Sequence, residues 1–366
     1  MLEDLRVQRA PSSRRDETNF EQLGFGNVFS DHMFTMKYFD GEWRQPEITP
    51  YGPLAIDPGC LSLHYGQSVF EGLKAFRGKD DKVRVFRPGM NAKRFEDSCE
   101  RLCIPALPAG LFEEAVRELV RLDHEWIPTG RGEALYIRPI VFALESHLEV
   151  RPANNYLFAI MTAPVRNYYD ADIKAVSLKV QDRFTRAAPG GIGFAKTAGN
   201  YAASLFPGDE SRREGFDQAL WLDGAEHKYV EEVGQMNIFF DLNGTVVTPE
   251  LRGTILPGVT RASVLQLLAD RGIETAERRI PIEELTVAIA NGDVREAFGA
   301  GTAAVVAPVG RIAYQNQSFL INGGEPGALT NQLYEEIVGI QLGEVPDRHG
   351  WNMEIMAGSQ SVAPGA

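Results

Sequence analysis

Lys196 lies in a glycine-rich, charge-poor loop, Pro189-Gly190-Gly191-Ile192-Gly193-Phe194-Ala195-Lys196-Thr197-Ala198-Gly199-Asn200-Tyr201. Further along comes Glu231-Glu232-Val233-Gly234-Gln235-Met236-Asn237-Ile238-Phe239-Phe240. An amine condenses with an aldehyde to a Schiff base, and a carboxylate holds a pyridine nitrogen protonated. The pair therefore supplies both ends of a site for an aldehyde-bearing pyridine ring. A lysine among small apolar residues has few carboxylates nearby, and burial there would push its pKa down toward the neutral, nucleophilic form. Taken alone, Lys196 also reads as a solvated loop lysine.

Two further segments suit an anion. Pro257-Gly258-Val259-Thr260 reads as a turn into a helix, whose exposed amides would bind phosphate; an ordinary Thr-capped helix is the alternative. Arg94 falls in the first turn of a helix expected to start at Asn91, where the helix dipole disfavours a cation. A bound phosphate would remove that conflict; a solvated arginine is the alternative.

Gly190 to Thr197 is also a near miss of the nucleotide-binding pattern G-x-x-x-x-G-K-[ST], and Ala219-Leu220-Trp221-Leu222-Asp223 resembles a strand ending in a Mg²⁺-binding Asp. A P-loop nucleotidase is thus the reading from another class. Against it, Ala195 replaces the glycine that lets the backbone wrap phosphates. Ala198-Gly199-Asn200 and Pro207-Gly208-Asp209 interrupt any helix expected after Thr197.

The elements that must carry these residues follow from periodicity. Residues 25–86 alternate apolar and polar positions between turn signals, which predicts antiparallel strands. Helical spacing covers Asn91–Cys103 and Leu111–Trp126, and strands are expected at Ala134–Ala143 and Tyr156–Thr162. Further strands are expected at Val176–Val180, Gln218–Leu222, Gln235–Asp241 and Ala304–Val309. Helices fit Val259–Arg271, Ile282–Asn291 and Gly327–Leu342. The expected division is a frayed arm over 1–18, a small domain over 19–166, a linker over 167–175, a large domain over 176–357 and a flexible tail over 358–366. The class is α/β (α+β), and neither half opens with a dinucleotide-binding fingerprint.

The chain has 366 residues, 44% hydrophobic and 24% charged, with a net charge of −13. That acidity argues against a nucleic-acid or anionic-membrane partner. Three cysteines, Cys60, Cys99 and Cys103, are too few for a disulfide framework, and no metal site is expected. The first residues lack the apolar run of a signal peptide, and no stretch suits a membrane span, so a cytoplasmic location is expected.

The motifs resemble the branched-chain amino acid aminotransferase family. Gly-Phe-Ala-Lys196-Thr-Ala-Gly-Asn-Tyr and Glu232-Val-Gly-Gln-Met-Asn-Ile-Phe carry the likeness. So do Leu63-His-Tyr-Gly-Gln-Ser-Val-Phe-Glu-Gly72, Val85-Phe-Arg-Pro88, Leu135-Tyr-Ile-Arg-Pro139, Ile255-Leu-Pro-Gly-Val259 and Phe298-Gly-Ala-Gly-Thr-Ala303. The blocks run in the family's order. The resemblance implies a fold-type IV, class IV enzyme dependent on pyridoxal 5'-phosphate, with a small N-terminal α/β domain and a larger C-terminal β-rich domain. It implies reversible ping-pong transfer of an amino group between L-leucine, L-isoleucine or L-valine and 2-oxoglutarate. Within the fold, D-amino-acid aminotransferase and aminodeoxychorismate lyase are the alternatives.

By the same resemblance, Lys196 holds the cofactor aldehyde, Glu232 pairs with the ring nitrogen and Tyr201 hydrogen-bonds the phenolic oxygen; a plain core tyrosine is the alternative for Tyr201. Arg94, the amides of Val259 and Thr260, and the Thr302 hydroxyl hold the phosphate, with Arg186 as a further contributor. Phe25, Phe70, Tyr136, Tyr168 and Met236 form an apolar substrate wall, though such residues are most often core. Arg138 pairs with the glutamate side-chain carboxylate. The Thr302-Ala303 turn meets the substrate α-carboxylate, and Tyr65 reaches in from the other subunit of a homodimer. Gln235 and Ala300 depart from the residues usual at their positions, and Ala304 and Ala307 replace a Cys-x-x-Cys pair found in some animal members.

Overall fold

A computed structural model describes residues 2, 4–166 and 174–355. The chain forms two compact units. One comprises the chain to Glu96, Cys103–Arg166 and the chain from Gly339; the other comprises Asp97–Leu102 and the chain from Asn167 to Val338. The division at Arg166 follows the end of a strand, but the C-terminal segment from Gly339 groups with the first unit rather than with the segment before it.

Among the described residues, the first unit holds a nine-stranded sheet. Its strands are β1 (Arg6–Val7), β2 (His32–Phe39), β3 (Glu42–Pro50), β4 (Ser68–Phe70), β5 (Leu73–Arg77), β6 (Val83–Phe86), β7 (Ala134–Ala143), β8 (Tyr156–Val165) and β18 (Asn352–Ile355). The order is β1-β3-β2-β8-β7-β5-β6-β18, with β4 beside β7. Helices α1 (Leu61–Tyr65), α2 (Pro88–Arg101) and α3 (Leu111–Leu122) accompany it. The α3 sequence repeats apolar residues at i, i+3 and i+4, and Leu111, Phe112, Ala115, Val116, Leu119 and Val120 are all buried. Phe95 and Phe34 meet Phe158 of β8 edge-on, with centroids 5.6 and 5.9 Å away.

The N-terminal arm is not frayed as expected. Arg6 and Val7 pair in parallel with Glu47 and Ile48. Ser13 Oγ donates to Asp31 at 2.6 Å, and the Arg14 amide donates to the same carboxylate at 3.0 Å. These long-range bonds tie down a polar segment that lacks local periodicity of its own.

The second unit also holds a nine-stranded sheet. Its strands are β9 (Val176–Gln181), β10 (Gln218–Leu222), β11 (Val230–Val233), β12 (Met236–Leu242), β13 (Thr245–Thr248), β14 (Thr275–Glu277), β15 (Val294–Gly301), β16 (Val305–Tyr314) and β17 (Gln317–Leu320). The path β11-β10-β9-β16-β15-β12 closes because β11 pairs with both β10 and β12. The strands of this ring are paired on both sides, while β14 and β17 remain edge strands. Leu178, Leu220, Leu222, Val233, Ile238 and Phe240 belong to that core. Helices α4 (Ala198–Arg213), α5 (Val259–Asp270), α6 (Ile282–Asn291) and α7 (Ala328–Leu342) complete the elements. No helix among the described residues is long and apolar enough to cross a membrane.

Candidate active site

In the second unit, the Lys196 loop leads directly into α4. Local pattern predicts no helix after Thr197, yet α4 runs from Ala198 to Arg213 with Thr197 as N-cap and Pro207 inside. Tertiary contacts override the breakers. Asn200 Nδ2 donates to the carbonyls of Ile192 (2.8 Å) and Ala195 (2.7 Å), binding the loop to the first turn of the helix. The Gln181 amide reaches the Pro207 carbonyl at 3.4 Å. On this frame Lys196 Nζ donates to Tyr201 Oη at 2.8 Å, while the Lys196 amide donates to Ser98 Oγ at 2.9 Å.

Glu232 comes from a different element. β11 and β12 form a hairpin in which Glu232 faces Asn237 and Val233 faces Met236. The two-residue turn Gly234-Gln235 needs positive φ at its first position, and Gly234 has φ +53°. A Cβ there would also lie 2.2 Å from Gln218 Oε1. Glu232 is 4% exposed. Its Oε1 accepts the Leu256 amide at 3.0 Å and Asn237 Nδ2 at 3.4 Å. Its Oε2 lies 2.8 Å from Arg186 Nε. Tyr201, Glu232, Gln235 and Arg186 line one cleft of about 360 Å³. The fold therefore brings Tyr201, the phenol that accepts the Lys196 hydrogen bond, and a buried carboxylate to the same opening.

Strand alternation sends Glu231 to the opposite side. It is 7% exposed and lines a second cleft, where its Oε1 accepts the Thr254 hydroxyl. Burial pushes the Glu231 carboxyl above the ordinary carboxylate value, against the pull of the Thr254 hydroxyl and the Arg186 charge.

The anion segments differ from expectation in two respects. α5 does begin at Val259, and its N-cap Gly258 supplies no side-chain cap. A Cβ on Gly258 would lie 2.0 Å from Asn237 Oδ1, so glycine is required where this turn passes the hairpin. Arg186, however, spends its guanidinium on Glu232 and on the carbonyls of Thr254 and Gly193. Thr302 and Ala303 form the turn between β15 and β16, with Val305 at φ +62° just after it. A β-branched residue in that region is strained and holds a defined turn. Met236 sits in the core, packed under Gly299 and Gly301, where a Cβ would meet its side chain at 2.8 and 3.0 Å.

The remaining sequence candidates lie in the first unit, apart from Tyr168, which falls outside the described residues. α2 begins at Pro88, three positions before Asn91, so Arg94 sits in mid-helix and not in the first turn. Arg94 Nε and Nη2 donate to Glu71 Oε1 and Oε2 at 2.7 and 2.9 Å, and Glu71 is fully buried. Asn91 Nδ2 adds a bond to Glu71 at 2.7 Å rather than capping the helix. Sequence inspection assigned no role to Glu71, though it lies within the Phe70-Glu71-Gly72 block.

Tyr136 and Arg138 alternate onto one face of β7. Arg138 Nη2 donates to Tyr136 Oη at 3.2 Å, and its guanidinium lies over Phe70 at 4.9 Å and over Tyr136 at 5.3 Å. Phe25 meets Tyr136 edge-on at 5.0 Å. A Cβ on Gly72 would lie 2.0 Å from Tyr136 Oη, so that glycine makes room for the phenol. Arg138 Nε is buried without a hydrogen-bond partner among the described residues. Tyr65 is 44% exposed and donates to the Leu148 carbonyl at 2.5 Å.

The sequence pattern of the amino-transferase class IV family matches residues 68–312. The chain belongs to this family. It is 48% identical, over 96% of its length and 97% of the relative's, to branched-chain-amino-acid aminotransferase 2 of Bacillus subtilis. Among class IV aminotransferases of solved structure, the branched-chain enzyme of Thermoproteus uzoniensis, crystallised with norvaline, superposes with a TM-score of 0.73 at 26% identity, covering 89% of this chain and all of that one. The T.th. branched-chain enzyme complexed with N-(5'-phosphopyridoxyl)-L-glutamate superposes with a TM-score of 0.71 at 29% identity, covering 87% of this chain and 97% of that one. The fold class expected from the resemblance is the fold of these relatives, and the P-loop reading is overturned by the family match.

Proposed function

We propose that the protein is a branched-chain-amino-acid transaminase that uses pyridoxal 5'-phosphate to move the amino group of L-leucine, L-isoleucine or L-valine to 2-oxoglutarate, reversibly. The observation that carries the reading is the cleft shared by Glu232 and Tyr201, the phenol bonded to Lys196, in a chain 48% identical to a branched-chain aminotransferase. The donor set suits the cofactor. An amine stands at one end, a buried carboxylate at the other, and α5 begins without a side-chain cap.

When bound, pyridoxal phosphate supplies an aldehyde for attachment and a protonated ring as the electron sink for Cα deprotonation. Lys196 would hold the cofactor through Nζ, and as a free amine it would take the substrate Cα proton as general base. Tyr201 Oη, bonded to Nζ, orients that amine and would hold the phenolic oxygen. Glu232 would hold the ring nitrogen. The amides of Val259 and Thr260, the Thr302 hydroxyl and Arg94 hold the phosphate.

Substrate binding divides between two chemistries. Phe25, Phe70 and Tyr136 supply the apolar wall, and Arg138 takes the γ-carboxylate of glutamate. The Thr302-Ala303 amides take the α-carboxylate. Donor and acceptor use one site in turn, which gives ping-pong kinetics. A homodimer in which Tyr65 serves the other subunit is part of this reading. Leu148, whose carbonyl accepts the Tyr65 hydroxyl, is 71% exposed, an apolar side chain free to meet a partner. A cytoplasmic location is part of this reading.

A steady-state panel of L- and D-amino acids with 2-oxoglutarate tests the assignment. Turnover confined to branched L-amino acids is expected. Preference for D-donors would overturn it in favour of D-amino-acid transamination.

A further inference from the structure

Arg186 contacts three groups at once. Its Nε lies 2.8 Å from Glu232 Oε2, an ion pair without hydrogen-bond alignment, and its Nη2 donates to the carbonyls of Thr254 and, at 3.3 Å, Gly193. Gly193 belongs to the loop that carries Lys196. Thr254 is itself held, because its hydroxyl donates to Glu231 Oε1. The Arg186 side chain is 8% exposed, so water does not substitute for these partners.

We infer that Arg186 is a positioning residue that keeps Glu232 ionised, and that Thr254, anchored by Glu231, holds Arg186 in place to do so. This deepens the proposed function, since it rests on Glu232 meeting the ring nitrogen. In an N–H···O pair the proton resides on the more basic partner. A guanidinium beside the carboxylate lowers its basicity and leaves the proton on the ring nitrogen. The other titratable groups around Glu232 are Tyr201 in the same cleft, Lys196 one hydrogen bond beyond it, and Glu231 on the opposite face of β11. Among the described residues, Arg186 is the guanidinium in direct contact with Glu232.

The test compares two probes on protein stripped of cofactor. One is pyridoxal phosphate; the other is its 1-deaza analogue, which has C–H in place of the ring nitrogen. Both keep the aldehyde and the phosphate, so the ratio of their dissociation constants, read by equilibrium fluorescence titration, isolates the ring-nitrogen contact. In the native protein that ratio should stay level from about pH 8 to about pH 6. Glu232→Gln should abolish the preference for the nitrogen ring at every pH. Arg186→Gln should keep the preference at the upper end and lose it by roughly tenfold at the lower end, as Glu232 takes up a proton. Arg186→Lys, which keeps the charge, should restore most of the level profile. Thr254→Val should shift the ratio in the same direction by less, and it carries the test if Arg186→Gln does not fold.

A level ratio in both Arg186→Gln and Thr254→Val, with the preference gone in Glu232→Gln, would overturn the inference and leave the site reading standing. Equal weakening of both probes would show Arg186 to be merely structural, which also overturns it. An unchanged preference in Glu232→Gln would sink the assignment of Glu232, and the inference with it.

Discussion

Arg138→Met separates the two substrates. The native guanidinium stacks on Phe70 and Tyr136 and bonds Tyr136 Oη at 3.2 Å, and no carboxylate among the described residues pairs with it. Its removal therefore strands no buried anion. The stability loss is limited to two cation–π contacts and one charge-assisted hydrogen bond to a phenol. The loss with glutamate is a separate effect on binding. Breaking a hydrogen-bonded charge pair in a desolvated site costs about 2–5 kcal/mol, and the half-buried position of Arg138 points to the lower part of that range. A value near 2–3 kcal/mol means roughly 30- to 150-fold. Methionine keeps the length and apolar character of the stem, so the leucine half-reaction should stay within about threefold. Single-turnover stopped-flow with each amino donor, followed at the cofactor band, measures both. Equal loss on leucine and glutamate would refute the argument and make Arg138 a structural residue.

Lys196→Ala should abolish both turnover and the visible band of the lysine-bound cofactor; a variant that retained full transamination would remove Lys196 from the mechanism. Glu232→Gln should fold and bind cofactor but lose roughly 10²-fold in kcat, the scale for one preorganised electrostatic group; a near-native kcat in steady-state assays would count against its role. The Arg151 guanidinium, bonded to Glu145 at 2.5 Å, holds the Glu145 carboxyl down to about 2 from its ordinary 4.5. The folded-state value is depressed, so this contribution is present above about 4.5 and disappears as pH falls toward about 2. Urea unfolding of Glu145→Gln against the native protein should show a stability gap near neutrality that closes over that window, and a gap independent of pH would contradict the assignment.

Much of the element map was legible because short-range pattern fixes it. The strands Ala134–Ala143 and Gln218–Leu222 and the helix Ile282–Asn291 fall where periodicity placed them. Lys196 and Glu232 were legible as chemistry because a lysine among glycines and a carboxylate on an apolar strand are locally anomalous. The ion pair of Arg186 was not legible, because nothing in its neighbours specifies a partner 46 positions away in the sequence (232 − 186).

By itself, the sequence determined the period of each strand and helix, the turn glycines such as Gly234, and the residue types able to do the chemistry. These depend on interactions a few residues long. Tertiary structure decided the rest. It started α2 at Pro88 and ran α4 straight through Pro207, since packing and the Asn200 and Gln181 side chains supply partners that local propensity lacks. It gave Arg94 to Glu71, tied the N-terminal arm to β3 and Asp31, and placed Arg186 against Glu232. A buried charge takes whichever counter-charge the fold brings within about 3–4 Å, and chain closure, not sequence proximity, sets that distance.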